Sequence, residues 1–259
     1  MIFAAGLGTR LKPLTDTLPK ALAPLAGKTL LEWQIEKLKS AGITDIVINI
    51  HHFPELIINY LKEHNNFECN IAISDEREML LETGGGLRKA EILFSANAQE
   101  FRNSGEGILI CNVDILSNID IPTLIQSYDP NEMGIVVVSE RDTQRYLLFD
   151  NTNRLCGWTN IATGEVKPSP LLNNEKLLPN LKKLAFSGMQ ILNPKIFDCM
   201  DEIVNQKGEK FSLIDLYLSI AEKETLRAFI PKDYKMMDVG KISQIAEAEN
   251  FALNISNNL

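Results

Sequence analysis

Residues Ala4 to Arg10 read AAGLGTR and follow directly on the apolar start Ile2 to Ala5. Small residues and glycines placed right after a strand let main-chain N–H groups close around an anion such as a triphosphate, and a nearby cation can add mobile positive charge. Arg10 and Lys20 can supply that charge. Within residues 1–28, Arg10, Lys12, Lys20 and Lys28 stand against Asp16 alone, a local charge of +3 in a chain whose net charge is −8. Taken singly such lysines solvate a loop; clustered, they point to a small anionic ligand.

Two further segments carry candidate chemistry. In LLETGGGL, Leu80 to Leu87, three consecutive glycines open a predicted helix, which allows close backbone approach to a flat ligand while the helix N-terminus adds donors. In CNVDIL, Asp114 lies just beyond an apolar strand, where open α/β sheets place their ligands. A carboxylate there suits Mg²⁺, which takes one or two carboxylates together with substrate phosphates.

Two other patterns mislead. Gly6 and Gly8 begin a GxGxxG run, but Leu11 stands where its third glycine belongs, and Pro13 sits where the dinucleotide-binding helix would already be running; a hydride-transferring Rossmann enzyme is therefore disfavoured. Gly27, Lys28 and Thr29 look like the end of a P-loop, yet its earlier glycine falls at Leu22 and no strand leads into it.

The segments AAGLGTR and TLPKALAPLAGK (Thr17 to Lys28) together resemble the signature of the sugar-phosphate nucleotidyltransferase family, the NDP-sugar pyrophosphorylases: a GxGTR segment, a proline-rich interval and a PK pair, here Pro19 and Lys20. The resemblance implies that Ala4, Ala5, Gly6, Leu7, Gly8, Thr9, Arg10, Lys20, Glu82, Thr83, Gly84 and Gly85 bind the nucleotide, with Arg10 and Lys20 catalytic. It makes Asp114 a Mg²⁺ ligand and matches Asp238, in KMMDVGK, to the second. Where the family commonly has threonine after that glycine, this chain has Lys241. On the sugar side it implies Gly86, Asn112, and Ser187 and Gly188 of FSGMQIL. Lys167 of EVKP is similar to the lysine of the family's EKP segment, with one residue inserted. The ETGGG form resembles the branch that makes UDP-N-acetylmuramic acid from N-acetylmuramic acid 1-phosphate.

The implied reaction is NTP plus sugar 1-phosphate to NDP-sugar plus pyrophosphate. UTP with N-acetylmuramic acid 1-phosphate is the first expectation; guanylyl transfer to mannose or heptose 1-phosphate, and uridylyl or thymidylyl transfer to glucose 1-phosphate, are the alternatives. A related phosphocholine cytidylyltransferase would need an aromatic or acidic cage for a quaternary amine, and no such cage shows in sequence order. A nucleotide-sugar sensor without catalysis is the reading from another class, and retention of Arg10, Lys20, Asp114 and Asp238 speaks against it.

The elements that must position these residues alternate. A strand at Ile2–Ala5 is followed by an ordered, proline-interrupted loop, then a helix capped by Thr29 and closed by Gly42, with Leu31, Ile35 and Leu38 on one face. Strands at Asp45–Ile50, Cys69–Ser74, Gly107–Asn112 and Gly134–Ser139 alternate with helices at Pro54–Glu63 and Leu87–Phe94. After residue 140 a hairpin, Tyr146–Asp150 with Arg154–Trp158, precedes a polar stretch over 163–183. A strand at Leu184–Leu192, helices at Pro194–Ile203 and Phe211–Glu222, a strand at Leu226–Ile230 and a helix from Ile242 complete the order. This predicts an α/β fold: a Rossmann-like, mainly parallel, mixed central sheet flanked by helices, with a small antiparallel sugar-side extension. One domain over 1–259 is expected, with 1–140 as the nucleotide-binding half and 141–259 as the sugar-binding half and C-terminal helix. Because the first strand has almost no lead-in, further residues are expected ahead of Met1.

The acidic balance argues against nucleic acid as a partner. Cys69, Cys111, Cys156 and Cys199 form no CxxC pair, so neither a disulfide framework nor a zinc site is signalled. With no signal peptide and no run of about 18 apolar residues, a cytoplasmic protein without membrane attachment is expected. Monomer and homo-oligomer stay open. His51 and His52 are read as packing near the site, and Trp33 and Trp158 as core or pocket-wall residues.

Overall fold

A computed structural model describes residues 1–168 and 180–256; the polar stretch predicted over 163–183 lies partly outside them. The chain forms two compact units, each discontinuous: Met1–Leu80 with Ile110–Pro122 and Lys235–Leu259, and Leu81–Leu109 with Thr123–Tyr234. The division does not follow residue 140: residues 81–109 belong with the second stretch, and the C-terminal helix belongs with the N-terminal one.

The first unit holds parallel strands. Ile2–Phe3 lies between Asp45–Ile50 and Ile108–Asn112, and Asn70–Asp75 pairs beyond Asp45–Ile50. Helix Leu30–Ser40 starts where expected: Thr29 Oγ1 accepts the Glu32 N–H at 3.1 Å, and Lys37 and Lys39 in the last turn complement the helix dipole. Leu31 and Ile35 on its inner face are fully buried, each contributing about 1.5–3 kcal/mol through burial. The long N-terminal loop is ordered by three 3-10 turns (Thr9–Leu11, Leu14–Asp16, Lys20–Leu22) and by the buried Leu11 and Leu25. The apparent P-loop end is a tight hairpin instead: Pro24–Leu25 pairs with Lys28–Thr29 across Ala26 and Gly27, both at positive φ.

The second unit is mixed. Gly134–Ser139 pairs antiparallel with Lys182–Leu192 and parallel with Leu226–Phe229. The far end of Lys182–Leu192 joins the expected antiparallel extension, Arg145–Phe149 with Leu155–Asn160, to which Glu165–Pro168 adds an unpredicted third strand. The expected α/β class thus holds, with parallel strands in one unit and the antiparallel extension in the other. A buried carboxylate, Glu91, binds Arg88 at 2.7 Å and Arg102 at 2.6 Å, and both guanidiniums reach on to Asp201.

One helix departs from its predicted bounds. Instead of Leu87–Phe94 it runs Glu82–Ala90, followed by a 3-10 turn at Glu91–Leu93. Three glycines disfavour a helix locally, but here tertiary packing overrides propensity, because Gly84, Gly85 and Gly86 are all buried.

Candidate active site

In the first unit the loop after Ile2–Phe3 is anchored at its first residue. The Ala4 N–H donates to Asn49 Oδ1 at 2.8 Å, and Asn49 Nδ2 donates to Oε1 of the fully buried Glu76 at 2.7 Å. His51 Nδ1 lies 2.7 Å from the Glu76 carbonyl oxygen, and His52 Nε2 lies 3.2 Å from that of Thr15. The two histidines thus brace the loop and its anchor.

Beyond Ala5 the loop opens to solvent at Gly6, Leu7, Thr9 and Arg10. A Cβ on Gly6 would meet nothing within 4 Å, whereas Gly8 has φ +64° and a Cβ there would come 2.8 Å from the Thr15 side chain. Gly8 is therefore required by the backbone, and the open face at Gly6 is where a phosphate can approach main-chain N–H groups.

The four N-terminal cations separate into two kinds. Lys12 pairs with Asp16 at 2.9 Å, and Lys28 pairs with Glu36 while lying over the Trp33 ring; both serve the local surface. Lys20 and Arg10 instead meet the two candidate metal ligands. The Lys20 ammonium is ion-paired with Asp114, and Arg10 Nη2 stands 3.7 Å from Asp238 Oδ2.

Asp114 and Asp238 are brought together by two three-residue strands that went unpredicted. Met236–Asp238 pairs antiparallel with Ile115–Ser117, placing Asp238 opposite Ile115, and the Val239 N–H donates to the Asp114 carbonyl at 2.8 Å. Gly240 completes the contact, for a Cβ there would stand 2.6 Å from Asp238 Oδ1 and 2.7 Å from Arg10 Nη2. Asn112 ends its strand beside Phe3, two residues ahead of Asp114. Lys241 is exposed.

No group of three or more His, Cys, Asp or Glu that could hold a metal occurs among the described residues. Two carboxylates with flanking cations still fit Mg²⁺, a hard cation that completes its shell with water and substrate phosphate oxygens.

In the second unit the glycine segment is tied to its own surroundings. The N–H groups of Gly84 and Gly85 donate to the Phe211 carbonyl at 2.9 and 3.2 Å, and Thr83 Oγ1 accepts the Leu213 N–H at 3.0 Å. A Cβ on Gly84 would overlap the Phe211 ring, and one on Gly85 the Glu209 carbonyl. The close approach that these glycines permit is thus to the 209–211 backbone and ring. Glu82 holds a positive φ of 63° at the head of the helix.

Ser187 is fully buried, its hydroxyl 3.5 Å from the Ala185 carbonyl, and Gly188 adopts φ +71° within an irregularity of the same strand. Phe186, rather than Ser187, faces a cavity of about 410 Å³ lined also by Lys167, Trp158 and Tyr146. Lys167 bonds Asp215 Oδ1 at 3.1 Å and lies 5.3 Å from the Trp158 ring centroid. Two arginines on this wall, Arg141 and Arg145, belong to no motif, and in the sequence Glu140 and Asp142 balance their charge, so no local signal marks them. Trp33 lines a separate cavity of about 270 Å³ in the first unit. The tryptophans are pocket-wall residues, as expected.

The sequence matches the profile described as "Nucleotidyl transferase" over residues 1–255. The chain belongs to the nucleotidyl transferase family. It is similar to the N-acetylmuramate alpha-1-phosphate uridylyltransferase of Caulobacter vibrioides, 34% identical over 232 residues and covering 85% of this chain and 83% of that protein. The enzyme of the same description from Neisseria meningitidis serogroup B is 33% identical over 200 residues, 76% of each chain. Among solved structures, HddC from Yersinia pseudotuberculosis complexed with GMP-PN superposes with a TM-score of 0.69 at 21% identity, covering 96% of this chain and 97% of that one; at that identity the likeness is one of fold. For this nucleotidyltransferase, no helix among the described residues is long and apolar enough to cross a membrane, and all four cysteines are free.

Proposed function

We propose that this nucleotidyltransferase transfers uridylyl from UTP to N-acetylmuramic acid 1-phosphate in the cytoplasm, with Mg²⁺ as cofactor. The observation that carries the reaction is the first unit's cluster, in which Lys20 and Arg10 stand against Asp114 and Asp238 beside the loop at Gly6. The choice of acceptor is supported by the activity that the two bacterial relatives are described as having.

In this reading a phosphate oxygen of the sugar 1-phosphate attacks the α-phosphorus of UTP in line, the bond from that phosphorus to the bridging oxygen breaks, and pyrophosphate leaves. The nucleophile is already an anion, so no general base is required. The obstacle is repulsion between a nucleotide of about four negative charges and a monoester near two, so positioning and charge neutralisation dominate. The amides after Ala4 cradle the phosphates, while Arg10 and Lys20 stabilise the charge that moves onto the leaving pyrophosphate. Asp114 and Asp238 would hold Mg²⁺, which when bound supplies Lewis-acid polarisation of phosphate oxygens. By family resemblance Glu82, Thr83, Gly84 and Gly85 belong to the nucleotide side, and Gly86, Asn112, Lys167, Ser187 and Gly188 to the sugar side.

The test is pyrophosphate release across four nucleoside triphosphates and a panel of sugar 1-phosphates. Release confined to UTP with N-acetylmuramic acid 1-phosphate is expected. Activity only with GTP and mannose 1-phosphate would replace the substrates, and nucleotide binding without turnover on any acceptor would leave a sensor.

A further inference from the structure

The second unit's cavity is lined by more cations than carboxylates. Arg141, Arg145 and Lys167 line it against a single carboxylate, Asp215, and Asp215 is already engaged by Lys167 at 3.1 Å and by the Ser212 hydroxyl at 2.8 Å. Arg141 Nη2 donates to the Phe186 carbonyl at 2.9 Å, which restrains the guanidinium without cancelling its charge. Arg145 is exposed at the head of its strand, so it can meet a ligand with little desolvation of its own.

The same wall carries aromatic rings. Trp158, Tyr146 and Phe186 could face the apolar side of a pyranose or cage a quaternary amine. Charge decides between them, because the Lys167 ammonium already lies over Trp158 and two arginines stand beside it. A second cation is repelled there, and an anion carried on a ring is attracted. A volume near 410 Å³ lies in the range of small-molecule sites.

We propose that this cavity is a specificity subsite for a carboxylate borne by the sugar, with Arg141 and Arg145 as the groups that read it. It rests on the reading above that a sugar 1-phosphate is the acceptor. Lys167, tethered to Asp215, is the cation left to meet the phosphate. With Lys167 on the phosphate, Arg141 and Arg145 set which acceptor is used. A guanidinium can bind a carboxylate through two parallel N–H groups, which gives direction as well as charge.

The experiment compares N-acetylmuramic acid 1-phosphate with N-acetylglucosamine 1-phosphate, which lacks the lactyl carboxylate, in the wild type, Arg141→Ala, Arg145→Ala and Arg145→Lys. The ratio of kcat/KM for the acid over the neutral acceptor is expected to fall about ten- to a hundredfold in each alanine variant, through KM, with partial recovery in Arg145→Lys. Equal losses on both acceptors would show that the arginines hold the phosphate common to both, and would overturn the proposal. Titration calorimetry with phosphate-free N-acetylmuramic acid separates the two readings. Binding that weakens in the arginine variants while no acceptor turns over would sink the transferase reading alone. An unchanged ratio together with unchanged binding would sink the subsite.

Discussion

The Lys20 ammonium and the Asp114 carboxylate form an ion pair in which the side chains are only 10% and 20% exposed. A pair so placed does two jobs, since each charge makes the burial of the other tolerable while both wait for phosphate or metal. Lys20→Ala and Asp114→Ala are each expected to lower the rate of pyrophosphate release by about 10²- to 10³-fold and to lower Tm, because each leaves a lone charge. The double variant should recover most of the Tm and none of the activity. Recovery of activity in the double variant would show that the pair is structural only.

Arg10 and Gly240 are linked by space. Arg10→Ala is expected to cost about 10²- to 10³-fold in rate, and a loss below threefold in the assay would remove Arg10 from catalysis. Gly240→Ala puts a methyl 2.7 Å from Arg10 Nη2, so it should displace the guanidinium and reproduce part of that loss, about tenfold, with Tm little changed.

The features legible in the sequence were local ones. The AAGLGTR loop, the Thr29 cap, the Asp45–Ile50 strand and the hairpin after residue 140 each declare themselves within a few residues, through glycine spacing, capping chemistry or alternation. The strands Ile115–Ser117 and Met236–Asp238 are three residues each, too short for any period to show, and the meeting of the two aspartates depends on them. The start of helix Glu82–Ala90 is hidden in the sequence because its glycines answer to Phe211 and Glu209, which lie far along the chain. Arg141 and Arg145 reach one wall with Lys167 only through strand pairing and packing, and no linear motif encodes that.

Removal of divalent ions is expected to abolish pyrophosphate release, with full return on adding Mg²⁺. Asp114→Asn and Asp238→Asn should each raise the Mg²⁺ concentration needed for half-maximal rate, since a neutral amide holds Mg²⁺ less well than a carboxylate. A metal titration of activity reads this directly, and unchanged dependence in both variants would place the metal elsewhere.

Glu91 is 3% exposed and binds two guanidiniums. Glu91→Ala leaves Arg88 and Arg102 facing each other without it, and should destabilise the protein by about 3–5 kcal/mol in urea unfolding. Asp198 and Asp201, which also contact Arg102, are more exposed, and their alanine variants should cost less.

Burial pushes the Lys37 ammonium down to about 8 from 10.5, while its Nζ donates to the Ser117 carbonyl at 2.6 Å and to the Ser117 hydroxyl at 2.8 Å. Between pH 8 and 10.5 the unfolded chain binds more protons at this site than the folded one, so Lys37's contribution to stability improves as pH rises through that window. The Tm of Lys37→Met relative to the wild type should therefore be most favourable below pH 8 and decline toward pH 10. A difference constant with pH would show that Lys37 does not titrate there.

The pairing of Met236–Asp238 with Ile115–Ser117 also orders events during synthesis. Chains emerge N-terminus first and domains form as units when their residues are present, yet the first unit waits for Lys235 and the residues beyond it, while the second unit's residues have all appeared by Tyr234. A nascent chain thus carries the phosphate loop and Lys20 early but acquires Asp238 only after all of the second unit's residues. The pairing acts as a completion check: a chain released short of Asp238 lacks one of the two aspartates proposed to hold Mg²⁺, and it should be catalytically silent rather than poorly selective.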